Sequence, residues 1–158
     1  MRVGTYHSAS GRAANSVDDL VEQAGAVATA GLDAMWLSQR FDVDALTALA
    51  VAGRHVGGIE LGTAVVPTYP RHPLVLASQA LTTQAATGNR LTLGIGLSHQ
   101  MVIEGLYGYS FDQPARHMRE YLSVLMPALH GEQVAFEGET MRAATGPIAV
   151  AGARPPPA

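Results

Sequence analysis

An α/β fold built on a parallel sheet is what this sequence predicts, and three observations carry the expectation. Short apolar runs without helical period begin near Arg2, Ala34, Glu60 and Leu91. Between them lie segments with apolar residues at every third or fourth position, most of which open on a capping residue and close on glycine. The fourth run, Asn89 to His99, alternates Leu91, Leu93, Ile95 and Leu97 with Thr92, Gly94 and Gly96. It is too apolar for a solvated strand and too short for a helix, and so reads as a buried strand.

Each element has its own signal. Met1 to Tyr6 reads as the first strand, ending in His7-Ser8 before a loop that contains Gly11. Ser16 with Asp19 three positions on resembles a capping box, which stabilises a helix start by roughly 1 kcal/mol. Val17, Leu20, Val21, Ala24, Val27 and Ala28 then form one helical face, stopped by Gly31. Asp33 to Ser38 is the second strand, with Gln39, Arg40 and Phe41 emerging from its end. Asp44 caps a helix whose Leu46, Leu49, Ala50 and Gly53 share a face up to Gly57-Gly58.

Ile59 to Val66 is the third strand, and Pro67, Pro70 and Pro73 stiffen its exit. Leu74, Ala77, Ser78, Leu81 and Ala85 mark a helix ending at Gly88. After the fourth strand, Gln100 to Tyr109 is a loop or short helix. Gln113-Pro114 then opens a helix with Met118, Leu122, Leu125 and Leu129 on one side. Val134 to Arg142 reads as a small hairpin turning at Glu137-Gly138, and the chain finishes in Pro155-Pro156-Pro157. Strands alternating with helices specify parallel neighbours joined by right-handed crossovers. Four such units are half of a TIM-type (β/α)8 barrel, whose whole length is typically about 250 residues. The expectation is a half-barrel plus hairpin in one domain, residues 1–158, stopping before a fifth strand.

Composition excludes more chemistry than any single motif supplies. The 158 residues are 47% hydrophobic, carry a net charge of -3 and contain no cysteine. There is then no disulfide, thiolate nucleophile or zinc-thiolate site. All ten basic residues are arginine, which removes a Schiff-base or phosphate-loop lysine. No basic cluster suggests nucleic acid. No run approaches the roughly 18 apolar residues of a membrane span, and no export signal opens the chain, so a cytoplasmic location is expected. Histidines 55, 72, 117 and 130 lack paired ligand spacing, and no metal site is expected. His117 and Glu120 read as an i, i+3 pair on a solvated helix face.

The segments Gly62-Thr63-Ala64-Val65-Val66-Pro67-Thr68, Arg71-His72-Pro73, Ala77-Ser78-Gln79-Ala80 and Asn89-Arg90-Leu91-Thr92-Leu93-Gly94-Ile95-Gly96, in that order and spacing, resemble the luciferase-like monooxygenase family. The likeness is to its branch that uses coenzyme F420, a deazaflavin, and Phe136-Glu137-Gly138-Glu139 resembles the hairpin after the family's fourth helix. The resemblance implies a barrel that holds F420, or alternatively FMN, at the C-terminal ends of its strands. It also implies hydride transfer between that coenzyme and a small organic substrate. A non-proline cis peptide would fall at Ala64-Val65. Related deazaflavin enzymes show Ser-Asp-His-Phe where this chain has Ser38-Gln39-Arg40-Phe41, and a sugar-phosphate dehydrogenase branch places a catalytic Glu where this chain has His99.

Candidate coenzyme contacts are therefore Ser38, Gln39, Ala64, Val65, Val66, Gly96, Leu97, Ser98 and His99, all at strand C-terminal ends. Candidate catalytic residues are His99, Arg40 and His7. An imidazole exchanges protons readily near neutrality, and a guanidinium suits anionic groups. Gly94-Ile95-Gly96 is not a dinucleotide fingerprint, because His99 stands at the third glycine position. Unpaired sheet edges predict a homo-oligomer. The alternative is a catalytically inactive truncated half-barrel acting as a binding module, or a gene fragment.

Overall fold

The computed structural model describes residues 1–8 and 15–158; the expected loop around Gly11 lies outside the described residues. Its elements are β1 (Gly4–His7), α1 (Ser16–Thr29), β2 (Ala34–Leu37), α2 (Ala45–His55), β3 (Glu60–Thr63), β4 (Val66–Pro67), α3 (Pro73–Thr87), β5 (Leu91–Thr92), β6 (Ile95–Gly96), α4 (Gln100–Gly105), α5 (Pro114–Leu129), β7 (Val134–Glu137) and β8 (Arg142–Thr145). The main sheet has the order β1-β2-β3-β5 and is parallel throughout. β4 and β6 form a second parallel pair and β7 and β8 an antiparallel hairpin. The sheet is open, with no barrel closure among the described residues.

Register decides which side chains meet the helices. Thr5 pairs with Met35, His7 with Leu37, Met35 with Leu61 and Leu61 with Leu91, so these residues share one face. Met35, Leu37, Leu61 and Leu91 are at most 1% exposed and join Leu20, Leu49, Leu76 and Leu125 in one core cluster. Each such burial contributes about 1.5–3 kcal/mol. The opposite face carries the row Tyr6, Trp36, Gly62 and Thr92. Gly62 has no alternative there, since a Cβ would lie 2.3 Å from the Trp36 ring.

Arg90 ties the base of the fold together. Its guanidinium donates to the carbonyls of Thr87, Ile59, Gly53 and Val56 at 2.7–3.0 Å, satisfying carbonyls that the end of α2 leaves open. Gln84 Oε1 accepts the Leu91 N–H at 2.9 Å.

Several expectations need correction. The first helix is capped by Asn15, not Ser16: Asn15 Oδ1 accepts from Val17 and Asp18 N–H groups at 3.0 and 3.4 Å, because helical geometry begins at Ser16 itself. The third and fourth strands are each broken in two. Thr63 Oγ1 accepts the Gly94 N–H and donates to the Gly94 carbonyl, both at 2.8 Å, so a side chain replaces the backbone ladder there. The hairpin turn is longer than expected, running from Gly138 to Met141 with the Gly138 N–H on the Met141 carbonyl at 2.9 Å. Its second strand continues to Thr145.

Candidate functional site at the strand C-terminal ends

Parallel pairing puts the ends of β2, β3 with β4, and β6 along one edge of the sheet. The Ser38 N–H donates to the His7 carbonyl at 3.0 Å, and the Ala64 N–H to the Leu37 carbonyl at 2.9 Å. The Ala64-Val65 peptide is cis. Past it the chain rejoins the sheet, with the Val66 N–H on Gly94 and the Thr68 N–H on Gly96 at 2.8 and 2.9 Å. The edge therefore brings together Ser38, Ala64, Val65, Val66 and Gly96, and Leu97, Ser98 and His99 continue from it.

The glycines are what allow this crowding. A Cβ on Gly94 would lie 2.0 Å from the Thr63 carbonyl oxygen, and one on Gly96 would lie 2.7 Å from Val65 Cγ2. Val65 is left standing out of the sheet, 41% exposed, while Val66 behind it is 0% exposed. Val65 Cγ2 occupies the place a Gly96 side chain would take, and exposed Val65 gives this edge a small apolar surface against which a flat ring can lie. Ser98 has φ 64° and turns the chain outward, and the His99 carbonyl opens α4 by accepting from Val102 and Ile103 N–H groups at 2.9 and 3.0 Å. The His99 side chain makes no capping bond and is exposed.

Other candidates are committed elsewhere. His7 lies in register with buried Leu37, on the helix side of the sheet. Its Nδ1 meets Gln23 Oε1 at 2.6 Å and its Nε2 meets Thr5 Oγ1 at 2.8 Å. Gln23 is held in turn by Asp19, at 2.7 Å. Gln39 braces its own loop: its amide NH2 donates to the Arg40 and Val43 carbonyls and its oxygen accepts the Ala45 N–H. Arg40 is exposed on that loop.

His117 is the residue that sequence reasoning misplaced. It is 8% exposed, its Nε2 meets Thr68 Oγ1 at 3.1 Å, and its ring stacks on Tyr69 at 3.9 Å. Burial pushes its pKa down, with the Glu120 charge opposing. Glu120 does not form the expected surface pair. Its carboxylate accepts from the Glu139 N–H and from the N–H and hydroxyl of Thr140 at 2.7–3.1 Å, pinning the hairpin turn to α5 and holding its own pKa low.

Arg71, which entered the sequence reading only within Arg71-His72-Pro73, pairs with Asp44, and its carbonyl accepts the Tyr121 hydroxyl at 2.8 Å. Asp44 also caps α2 through the N–H and hydroxyl of Thr47 at 2.9 and 2.7 Å. Burial alone would raise the Asp44 carboxyl, but those bonds and the Arg71 charge carry it below the usual carboxylate value. Around this hub opens a cavity of about 640 Å³ lined by residues 68–73, Tyr109, Ser110, Asp112, Gln113, His117, Tyr121, Thr140 and Met141. It includes none of the nine expected coenzyme contacts.

The sequence profile described as luciferase-like monooxygenase matches residues 1–157. The chain belongs to the luciferase-like monooxygenase family. It is 36% identical over 104 residues to a Mycobacterium tuberculosis protein provisionally named a coenzyme F420-dependent oxidoreductase, covering 66% of this chain and 30% of that one. Against the 5,10-methylenetetrahydromethanopterin reductase of Methanolobus tindarius the identity is 27% over 113 residues, covering 71% and 34%. Among solved structures, the F420-dependent tetrahydromethanopterin reductase of Methanopyrus kandleri superposes with TM-score 0.79 at 20% identity, over 94% of this chain and 46% of that one. The oxygenating constituent of a Pseudomonas putida diketocamphane monooxygenase, in complex with FMN, gives TM-score 0.82 at 19% identity over 98% and 50%. This luciferase-like chain thus spans about a third of the length of those two relatives and about half of those two structures. Its fold is the α/β parallel-sheet fold of the family's structures. No helix among the described residues is long and apolar enough to cross a membrane.

Proposed function

We propose that this chain carries the ring-binding wall of a coenzyme F420-dependent oxidoreductase, laid out as the first four units of a (β/α)8 barrel, which transfers a hydride between coenzyme and a small organic substrate. The observation that carries the reading is the wall itself: exposed Val65 beside bare Gly96, with Thr63 locked to Gly94 beneath it. Its donor set fits a flat heteroaromatic ring better than a metal or a sugar phosphate. The ring faces would be met by apolar surface, and Ser98 and His99 follow directly after Gly96, the His99 side chain making no capping bond.

When bound, the deazaflavin supplies the hydride chemistry. The chain's own residues position and seal. Val65 and Gly96 would hold the ring, with Ser38, Ala64 and Leu97 beside them on the same edge. His99 is the group placed to hold or move a proton at its imidazole nitrogens. Arg40, exposed on its loop, suits an anionic part of coenzyme or substrate. The committed hydrogen bonds of His7 give it a bracing role. FMN is the second reading, favoured by the FMN complex among the structural neighbours; the same wall accepts either tricyclic ring.

Titrating the chain with F420 and with FMN, followed by coenzyme fluorescence, tests the reading. Saturable binding of one of them that Gly96→Val reduces supports it. Binding that Gly96→Val leaves unchanged, or no saturation with either coenzyme, overturns it.

A further inference from the structure

We propose that the cavity between the loop after β4 and the start of α5 binds a small uncharged carboxamide, its carbonyl oxygen taken by the free donors of Arg71 and Tyr69. The cavity, about 640 Å³, falls within the roughly 300–1,000 Å³ of small-molecule sites. Three buried side-chain polar atoms have no partner among the described residues, and two of them, Tyr69 Oη and Arg71 Nη1, belong to residues that line this cavity. Both are donors. A guanidinium nitrogen cannot accept, and burial first, with the Asp112 and Glu104 charges after it, raises the pKa of Tyr69, so its hydroxyl keeps its proton. A buried donor left unmet is costly, and what this pair lacks is an acceptor oxygen. Both groups are already held. Tyr69 is stacked on His117 at 3.9 Å and on Phe111 at 5.2 Å, which occupies its ring faces and leaves the hydroxyl to be used. Arg71 gives Nη2 to Asp44 and its carbonyl to the Tyr121 hydroxyl at 2.8 Å. A ligand therefore orders little on binding.

The balance of charge favours a neutral molecule. Arg71 and Asp112 are the arginine and the carboxylate of the lining. Asp44 offsets the first, and Asp112, next to the cap residue of α5, offsets the positive end of that helix. A full charge of either sign would meet one of its own kind, whereas an amide dipole can serve both. Asp112 accepts from the Ser110 hydroxyl at 2.7 Å, and a carboxylate has further lone pairs. The amide N–H then has an acceptor on the same lining as the donors for its carbonyl. None of the coenzyme-wall residues lines the cavity, so this site does not depend on the coenzyme reading.

The test is calorimetric titration of the full chain with cyclohexanecarboxamide, cyclohexanecarboxylate and protonated cyclohexylmethylamine, which share one apolar body and differ in charge. The expected result is saturable binding of the amide with a dissociation constant of about 1 mM or tighter, at least about tenfold tighter than either ion. The methyl of Met141, in the lining, should shift in an NMR titration with the amide. Tyr69→Phe keeps the stacked ring and removes only an unpartnered hydroxyl, and Arg71→Lys keeps a cation for Asp44 without the second nitrogen. Each should weaken amide binding at least about fivefold, and Tyr69→Phe alone decides the matter if Arg71→Lys does not fold. No saturation with the amide, an ion that binds as tightly, an unmoved Met141 methyl, or amide binding that Tyr69→Phe leaves unchanged would each overturn the proposal. An FMN titration run in parallel reads the coenzyme wall separately, so failure of one site is distinguishable from failure of the other.

Discussion

Replacing Gly94 with alanine puts the most crowded contact of the sheet edge under direct test. The added Cβ would lie 2.0 Å from the Thr63 carbonyl oxygen, a backbone atom that no rotamer change can move, so β3 and the following strand must separate. Separation breaks the two 2.8 Å bonds between Thr63 Oγ1 and Gly94. Those bonds contribute about 1 kcal/mol each, and forced overpacking adds about 1–3 kcal/mol. The expected loss is roughly 3–5 kcal/mol, a large share of the 5–15 kcal/mol typical of a domain. At about 2–4 °C per kcal/mol for a chain of this length, Tm should fall by roughly 10 °C. Urea unfolding followed by circular dichroism measures it. Gly25→Ala is the control: Gly25 lies inside α1 with nothing within 4 Å of its added Cβ, and it should gain about 0.5–1 kcal/mol. A Gly94→Ala chain that loses less than about 1 kcal/mol would refute the idea that close approach of the Thr63 backbone dictates this glycine.

Asp44→Asn keeps a cap on α2 but leaves Arg71, only 17% exposed in its side chain, without its counter-charge; a loss of about 2 kcal/mol in urea unfolding is expected. Because the folded Asp44 pKa is lowered, its stabilisation is present above the unfolded value and lost as pH falls through the folded one, so Asp44→Asn should flatten the acid limb of stability against pH below about pH 4. His117 is also depressed, by burial. The unfolded chain therefore takes up its proton first, and stability should fall as pH drops below about 6.5, a slope that His117→Gln removes. The Tyr69 hydroxyl is buried without a partner among the described residues, so Tyr69→Phe should leave stability unchanged or raise it by up to about 1 kcal/mol; a clear loss would refute this.

What the sequence revealed and what it hid follows the range of the interactions. Parallel order and the four apolar runs were legible, because period and length are local. The break at Thr63 was not, since nothing in a Thr inside an apolar run announces that its hydroxyl will meet a backbone 31 residues away. His117 was misread for the same reason. A glutamate three positions on suggests a solvated pair, while the contact that buries the ring lies 49 residues distant at Thr68. Asn15 was passed over for Ser16 because both are good caps and the helix start is decided within one residue. Asp44 was read as a cap, but its second role needs Arg71, which folding brings across 27 positions. The cavity belongs wholly to this hidden class, being assembled from four separated stretches of chain.

On the proposed reading, a flavin-like ring lies flat against Val65 and Gly96. Methyl NMR of the isotopically labelled chain tests it most directly, with F420 and then FMN added. The Val65 methyl resonances should move upfield through the ring current of a coenzyme stacked above them, while the Val27 methyls, buried in the core, stay in place. Val65 methyls that do not move at saturating coenzyme, or shifts concentrated instead at Met141 in the cavity, would rule out a ring seated on Val65 and Gly96.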